Sequence, residues 1–78
     1  MNLKILKENE MRYEELAIDS IDFPVKYEKY GQTILDVNNH KVLDIRGWGR
    51  IQKLSEPEKR QDAIGELVAS LLNDKWGG

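Results

Sequence analysis

The chain contains no cysteine, one histidine (His40), two prolines (Pro24 and Pro57) and one phenylalanine (Phe23) among its 78 residues. Without cysteine, neither a disulfide framework nor a thiolate-bound zinc can reinforce the fold. A lone histidine with no paired carboxylates at ligand spacing is no metal signature, and His40 reads as a solvated turn residue. No apolar run approaches the roughly 18 residues of a membrane span. The first ten residues hold Leu3, Ile5 and Leu6 but no apolar stretch of signal-peptide length. These absences predict a cytoplasmic protein with no membrane association.

Catalytic patterns are absent too. There is no phosphate-cradling Gly-x-x-x-x-Gly-Lys-Ser/Thr loop and no dinucleotide fingerprint. Ser20, Ser55 and Ser70 stand at no credible spacing from His40, and Glu8, Glu10, Glu14 and Glu15 read as a solvated helix face. With no nucleophile, base and orienter to assemble, the expectation is a protein that is not an enzyme and uses no cofactor.

Charge is plentiful, at 33% of residues with a net of −2, and unevenly placed. Residues 1–40 carry a net of −3 and residues 41–78 a net of +1. Between positions 46 and 60 lie five basic residues (Arg46, Arg50, Lys53, Lys59 and Arg60) against Glu56 and Glu58. A local positive region in an acidic chain suits an anionic ligand, and a solvated face of mixed charge explains it equally well. The negative total and the few basic residues disfavour direct DNA binding. The length suits one domain with a thin core, and small unstapled domains often gain stability by association, so a homo-oligomer is expected.

The pattern along the chain predicts an α+β fold: a small antiparallel β-meander with a C-terminal amphipathic helix packed on one face. Residues 1–21 read as a short helix or a flexible arm, with an edge strand near Leu3 and Ile5 and helix-like spacing from Asn9 to Ser20. Residues 23–52 should form the sheet. Pro24 lacks an amide donor, so a strand from Val25 to Tyr30 begins at an edge, and Gly31 allows the turn after it. Thr33–Val37 and Lys41–Ile45, rich in β-branched residues, flank Asn38-Asn39-His40 as a hairpin.

Residues 56–75 should form the helix, opened by a Ser55–Glu58 capping box with Pro57 in the first turn. Ile64, Leu67, Val68, Leu71 and Leu72, extended by Trp76, make the stripe expected to face the sheet, each burial worth roughly 1.5–3 kcal/mol. Gly65 and Ala69 form a small-residue pair, predicted to meet either the sheet or a second copy of the helix. Gly77 and Gly78 should fray.

Between hairpin and helix lies Arg46-Gly47-Trp48-Gly49-Arg50. As extended chain, Asp44, Arg46, Trp48, Arg50 and Gln52 would share one side, and Ile45, Gly47, Gly49 and Ile51 a glycine-notched side beneath the helix. Two guanidiniums around an indole suit a phosphate, a carboxylate or a base, with glycine gaps giving access to backbone amides. The same residue types are favoured in protein-contact hot spots. A third reading is purely structural: a bend that tucks Trp48 into the core while Arg46 and Arg50 pair with Asp44, Glu58 or Asp62.

The run from Val42 to Gln52, with the Asp-x-Arg-Gly-Trp-Gly-x-x-Gln segment at its centre, followed by a helix containing Gln61-Asp62-Ala63-Ile64-Gly65-Glu66, resembles small bacteriophage accessory proteins of unassigned function. The resemblance covers about the second half of the chain. It implies stoichiometric binding to a host protein in the cytoplasm of an infected cell, as an accessory factor or host-defence inhibitor. The alternatives are a homo-oligomeric sponge for a cyclic nucleotide signal and an architectural phage component. On each binding reading the contact residues are Arg46, Gly47, Trp48, Gly49, Arg50 and Gln52.

Overall fold

A computed structural model describes residues 12–47 and 49–77. The elements run α1 (Tyr13–Asp19), β1 (Lys26–Glu28), β2 (Thr33–Leu35), β3 (Lys41–Asp44), a 3-10 turn (Gly49–Lys53) and α2 (Pro57–Trp76). The three strands form an antiparallel meander in the order β1-β2-β3, and α2 packs chiefly over β1 and reaches β2. The architecture is therefore the expected α+β one. The edge strand expected near Leu3 and Ile5 lies outside the described residues.

Each strand is shorter than its β-rich run. Tyr27, Ile34 and Leu43 stand in line across the sheet, so one side of the pleat carries the core. Ile34 is fully enclosed and meets Val25 and Ala69, with Ile21, Phe23, Tyr27, Val42, Leu43, Ile45, Val68 and Leu72 packed around them. The register slips by one residue between Ile34 and Leu35, which pair with Leu43 and Lys41. That β-bulge leaves Val42 as the extra residue and twists β3 just after the hairpin loop.

Carboxylates set both turns. Asp36 is buried, and its Oδ1 accepts from the amides of Asn38 (2.8 Å) and His40 (2.9 Å), while Asn39 takes the left-handed conformation at φ 67°. Asparagine tolerates that region better than most residues, so the hairpin turns where expected. His40 stays exposed beside Asp36. In the first turn Glu28 accepts from Tyr30 and Gly31 amides at 3.0 and 2.7 Å, and Gln32 rather than Gly31 adopts positive φ, at 53°.

The face that α2 turns to the sheet differs from the expected stripe. Its buried residues are Gln61, Gly65 and Ala69, with Val68 and Leu72 half-buried beside them. Ile64, Leu67 and Leu71 are 41, 56 and 55% exposed. The reason is space and polarity together. The Tyr27 ring lies across Gly65 and leaves no room for a Cβ, so a small residue must sit where a leucine was expected. The short sheet also exposes backbone groups that need polar partners. Asn73 supplies two, accepting from the Val25 amide at 2.8 Å and donating to the Val25 carbonyl at 2.9 Å. Gln61 donates to the Ile45 carbonyl. The small-residue pair thus meets the sheet.

The helix ends also differ from the expected ones. No Ser55–Glu58 capping box forms. Glu56 is the N-cap, in left-handed conformation at φ 50°, and Ser55 instead accepts from Arg60 through its carbonyl and hydroxyl. At the other end Gly78 lies outside the described residues, and Gly77, expected to fray, forms the C-cap. It closes α2 at φ 77°, its amide donating to the Asn73 carbonyl, the left-handed stop that glycine makes cheaply. Trp76 leaves the apolar line to stack on Phe23, with ring centroids 5.3 Å apart.

α1 begins at Tyr13, four residues after the expected start, and buries no residue. The Arg12 amide donates to Glu15, and Glu14 pairs with Lys75 of α2 at 3.0 Å. Among the described residues, no helix is long and apolar enough to cross a membrane.

Candidate functional site

The segment singled out by the sequence leaves the sheet at Asp44. Ile45 bonds back through its amide to the Gln32 carbonyl at 3.0 Å. Arg46 and Gly47 then turn, and Gly49–Lys53 winds into a 3-10 turn that packs against α2. The expected alternation of sides from Asp44 to Gln52 is therefore not realised, because the chain is extended only as far as Asp44. The physical cause is a competing local bond. The Asp44 carboxylate accepts from the Arg46 amide at 3.0 Å, an Asx-type turn that offers the backbone an alternative to the ladder.

The turn splits the segment into anchors and exposed groups. Ile45 and Ile51 are half-buried, and the Ile45 carbonyl is held by the buried Gln61 of α2. Arg46, Gly47, Gly49, Arg50 and Gln52 are exposed. A Cβ at Gly47 or Gly49 would meet nothing within 4 Å. The glycines consequently do not form a notch beneath the helix. Gly49 is needed for its backbone, at φ 39°, and its amide donates to the Gly47 carbonyl. Trp48 lies outside the described residues, and so does the expectation about which way its indole faces.

Arg46 is committed to Asp44. Its Nε and Nη2 reach the carboxylate at 2.9 and 2.6 Å, a forked pair with both partners at the surface. Hydrogen bonds from the Arg46 side chain, then from its amide, hold the Asp44 carboxyl down at about 2, and Asp44 in turn raises the guanidinium. Of the pairings weighed from sequence, Arg46 with Asp44 is the one that forms. Among the described residues no ion pair engages Arg50.

Two open depressions lie at the ends of α2. One, of about 700 Å³, is lined by Glu56, Pro57, Glu58, Lys59 and Asp62; the other, of about 590 Å³, by Pro24, Asn73, Asp74, Trp76 and Gly77. Neither is lined by the Arg46–Arg50 segment. Among the described residues, no three His, Asp or Glu side chains converge to hold a metal ion. Asp62 serves Tyr27, whose hydroxyl donates to it at 2.7 Å. Burial, helped by that bond and by the charges of Asp62, Glu66 and Glu28, pushes the phenol above its ordinary value.

The outward row of Ile64, Leu67 and Leu71 is a surface that sequence reasoning assigned to the core. The signal was present in the spacing. Gln61, Gly65 and Ala69 recur every four residues and form a narrow small-and-polar line, which competes with the apolar stripe for the sheet. Comparison with protein-family models, curated proteins and solved structures finds no match to this chain.

Proposed function

We propose that the chain is a non-catalytic, phage-type accessory or inhibitor protein that works by stoichiometric binding to a host protein. The contact segment in this reading is Arg46, Gly47, Trp48, Gly49, Arg50 and Gln52. The observation that carries it is the division of that segment: Ile45 and Ile51 anchor it, while Arg46, Arg50 and Gln52 are exposed with open space at both glycines. A loop held at Ile45 and Ile51, with Arg46 and Arg50 exposed, is the kind on which binding residues are commonly carried. Asp44 holds the Arg46 side chain in one orientation, which lowers the cost of ordering it against a partner. The cytoplasmic setting follows from this reading.

The occupied Arg46 fork disfavours the nucleotide-sponge alternative, since a phosphate would have to displace Asp44. The architectural alternative predicts self-assembly without a host partner. Tagged chain incubated with bacterial lysate should retain one protein in a fixed molar ratio, and purified components should re-form that complex. Trp48→Ala and Arg50→Ala should each abolish it. Retention by both variants, or a thermal shift with a cyclic nucleotide and no protein partner, would overturn the proposal.

A further inference from the structure

The outer side of α2 carries an apolar line that the fold leaves uncovered among the described residues. Ile64, Leu67 and Leu71 are 41, 56 and 55% exposed. Continued at the same alternating steps of four and three, the line begins at Arg60 and ends at Asp74. Such spacing keeps residues on one strip of a helix. Arg60, Leu67 and Asp74 stand seven residues apart on it, so each charge is about 10 Å from Leu67 along the axis.

Both charged ends are exposed. Among the described residues no ion pair engages Arg60 or Asp74. Arg60 donates through Nε and Nη2 to Ser55, which leaves Nη1 for another acceptor. The strip is thus positive seven residues before Leu67 and negative seven residues after it. A surface of that kind complements itself only when a second copy is turned end for end. A parallel copy would set Arg60 against Arg60 and Asp74 against Asp74.

We propose that a second copy of this chain packs antiparallel on this strip, with the two-fold axis beside Leu67. Each Arg60 then faces the partner's Asp74, and the Ile64, Leu67 and Leu71 side chains of the two copies interdigitate. Ala63 and Ser70, small and exposed beside the line, let the helices approach closely. The interface is isologous, as a two-fold dimer requires. It is separate from the sheet-facing line of Gln61, Gly65 and Ala69, so dimerisation leaves the fold of each copy intact. Gln61 ties the Arg46–Arg50 segment to the first half of α2, so the dimer carries two such segments at opposite ends. The proposal stands whatever that segment binds.

Multi-angle light scattering and sedimentation equilibrium on the purified full chain test it. The wild type should show a dimer whose fraction rises from micromolar to near-millimolar concentration. Leu67→Glu should be monomeric with an unchanged circular dichroism spectrum. Arg60→Asp and Asp74→Arg should each weaken association by roughly tenfold to a hundredfold, and the double variant should recover most of the loss. Both swaps suit the helix dipole, with an acid in the first turn and a base in the last, so neither should unfold α2. Within one copy the two positions are about 21 Å apart along the helix. Rescue by the double swap therefore has to come from a second copy. A monomer at every concentration, a dimer indifferent to Leu67→Glu, or a double variant no tighter than the single ones would overturn the proposal.

Discussion

The ring of Tyr27 lies directly across the Cα of Gly65, and no Cβ fits between them. One residue pair thus fixes how close α2 comes to β1, and it sends the helix's small residues, rather than its leucines, toward the sheet. Gly65→Ala should destabilise the protein, although alanine gains about 1 kcal/mol of helix propensity over glycine. Overpacking costs about 1–3 kcal/mol, and moving the ring also strains the Tyr27–Asp62 bond. Urea denaturation should show a net loss of about 1–2 kcal/mol. With Tyr27→Ala in the background the sign should reverse, and a loss that persists there would refute the close approach.

Asn73 joins α2 through two polar bonds to the chain that enters β1. Its amide pairs with both backbone groups of Val25, a buried residue. Asn73→Ala leaves a donor and an acceptor without partners, at roughly 1–3 kcal/mol for each group left unmade. The variant should lose about 2–4 kcal/mol, and hydrogen exchange at the Val25 amide should accelerate. Unchanged exchange there would contradict the role assigned to Asn73.

The Tyr27–Asp62 bond predicts an alkaline limit. Burial and its acidic neighbours raise the folded phenol above its unfolded value of about 10. A raised folded value means that the contribution is complete below about pH 10 and is lost as pH climbs toward the folded value. Tyr27→Phe should flatten the alkaline part of the stability profile. A variant that falls as steeply as wild type would show that other groups govern it.

Arg46 and Asp44 make a prediction at the opposite end of the scale. The Asp44 carboxyl, held at about 2 by the guanidinium fork, should titrate near that pH when followed by carboxyl-carbon NMR. In Arg46→Ala the midpoint should rise toward about 4. The depressed folded value means that the pair's contribution is present above about pH 4 and lost as pH falls through the folded value. A midpoint that Arg46→Ala leaves in place would mean that the fork does not form in solution.

The strands and the long helix were legible because each rests on local signals. β-branched runs, asparagines at the hairpin and a 3.6-residue apolar period agree with one another. The face of α2 was not legible, because periodicity locates an apolar arc without saying what fits beneath it. Of the arc from Ile64 to Leu72 only Val68 and Leu72 reach the core, because the Tyr27 ring selects the side with Gly65. The turn after Asp44 was hidden for a similar reason. Alternation is a property of extended chain, and the Asp44 carboxylate ends the extension by capturing the Arg46 amide. Ser55 matched a capping pattern, but the Arg60 guanidinium occupies its hydroxyl and carbonyl.

On the proposed function, the Arg46–Arg50 segment is a contact surface set on the core. Trp48→Ala tests it most directly, with unfolding free energy and retention of the host partner measured on the same preparation. A contact residue at that position should give a stability change within about 1 kcal/mol, as for surface substitutions, together with loss of the complex. A stability loss of about 3–5 kcal/mol, the cost of truncating a buried tryptophan, with the complex retained by whatever remains folded, would contradict it.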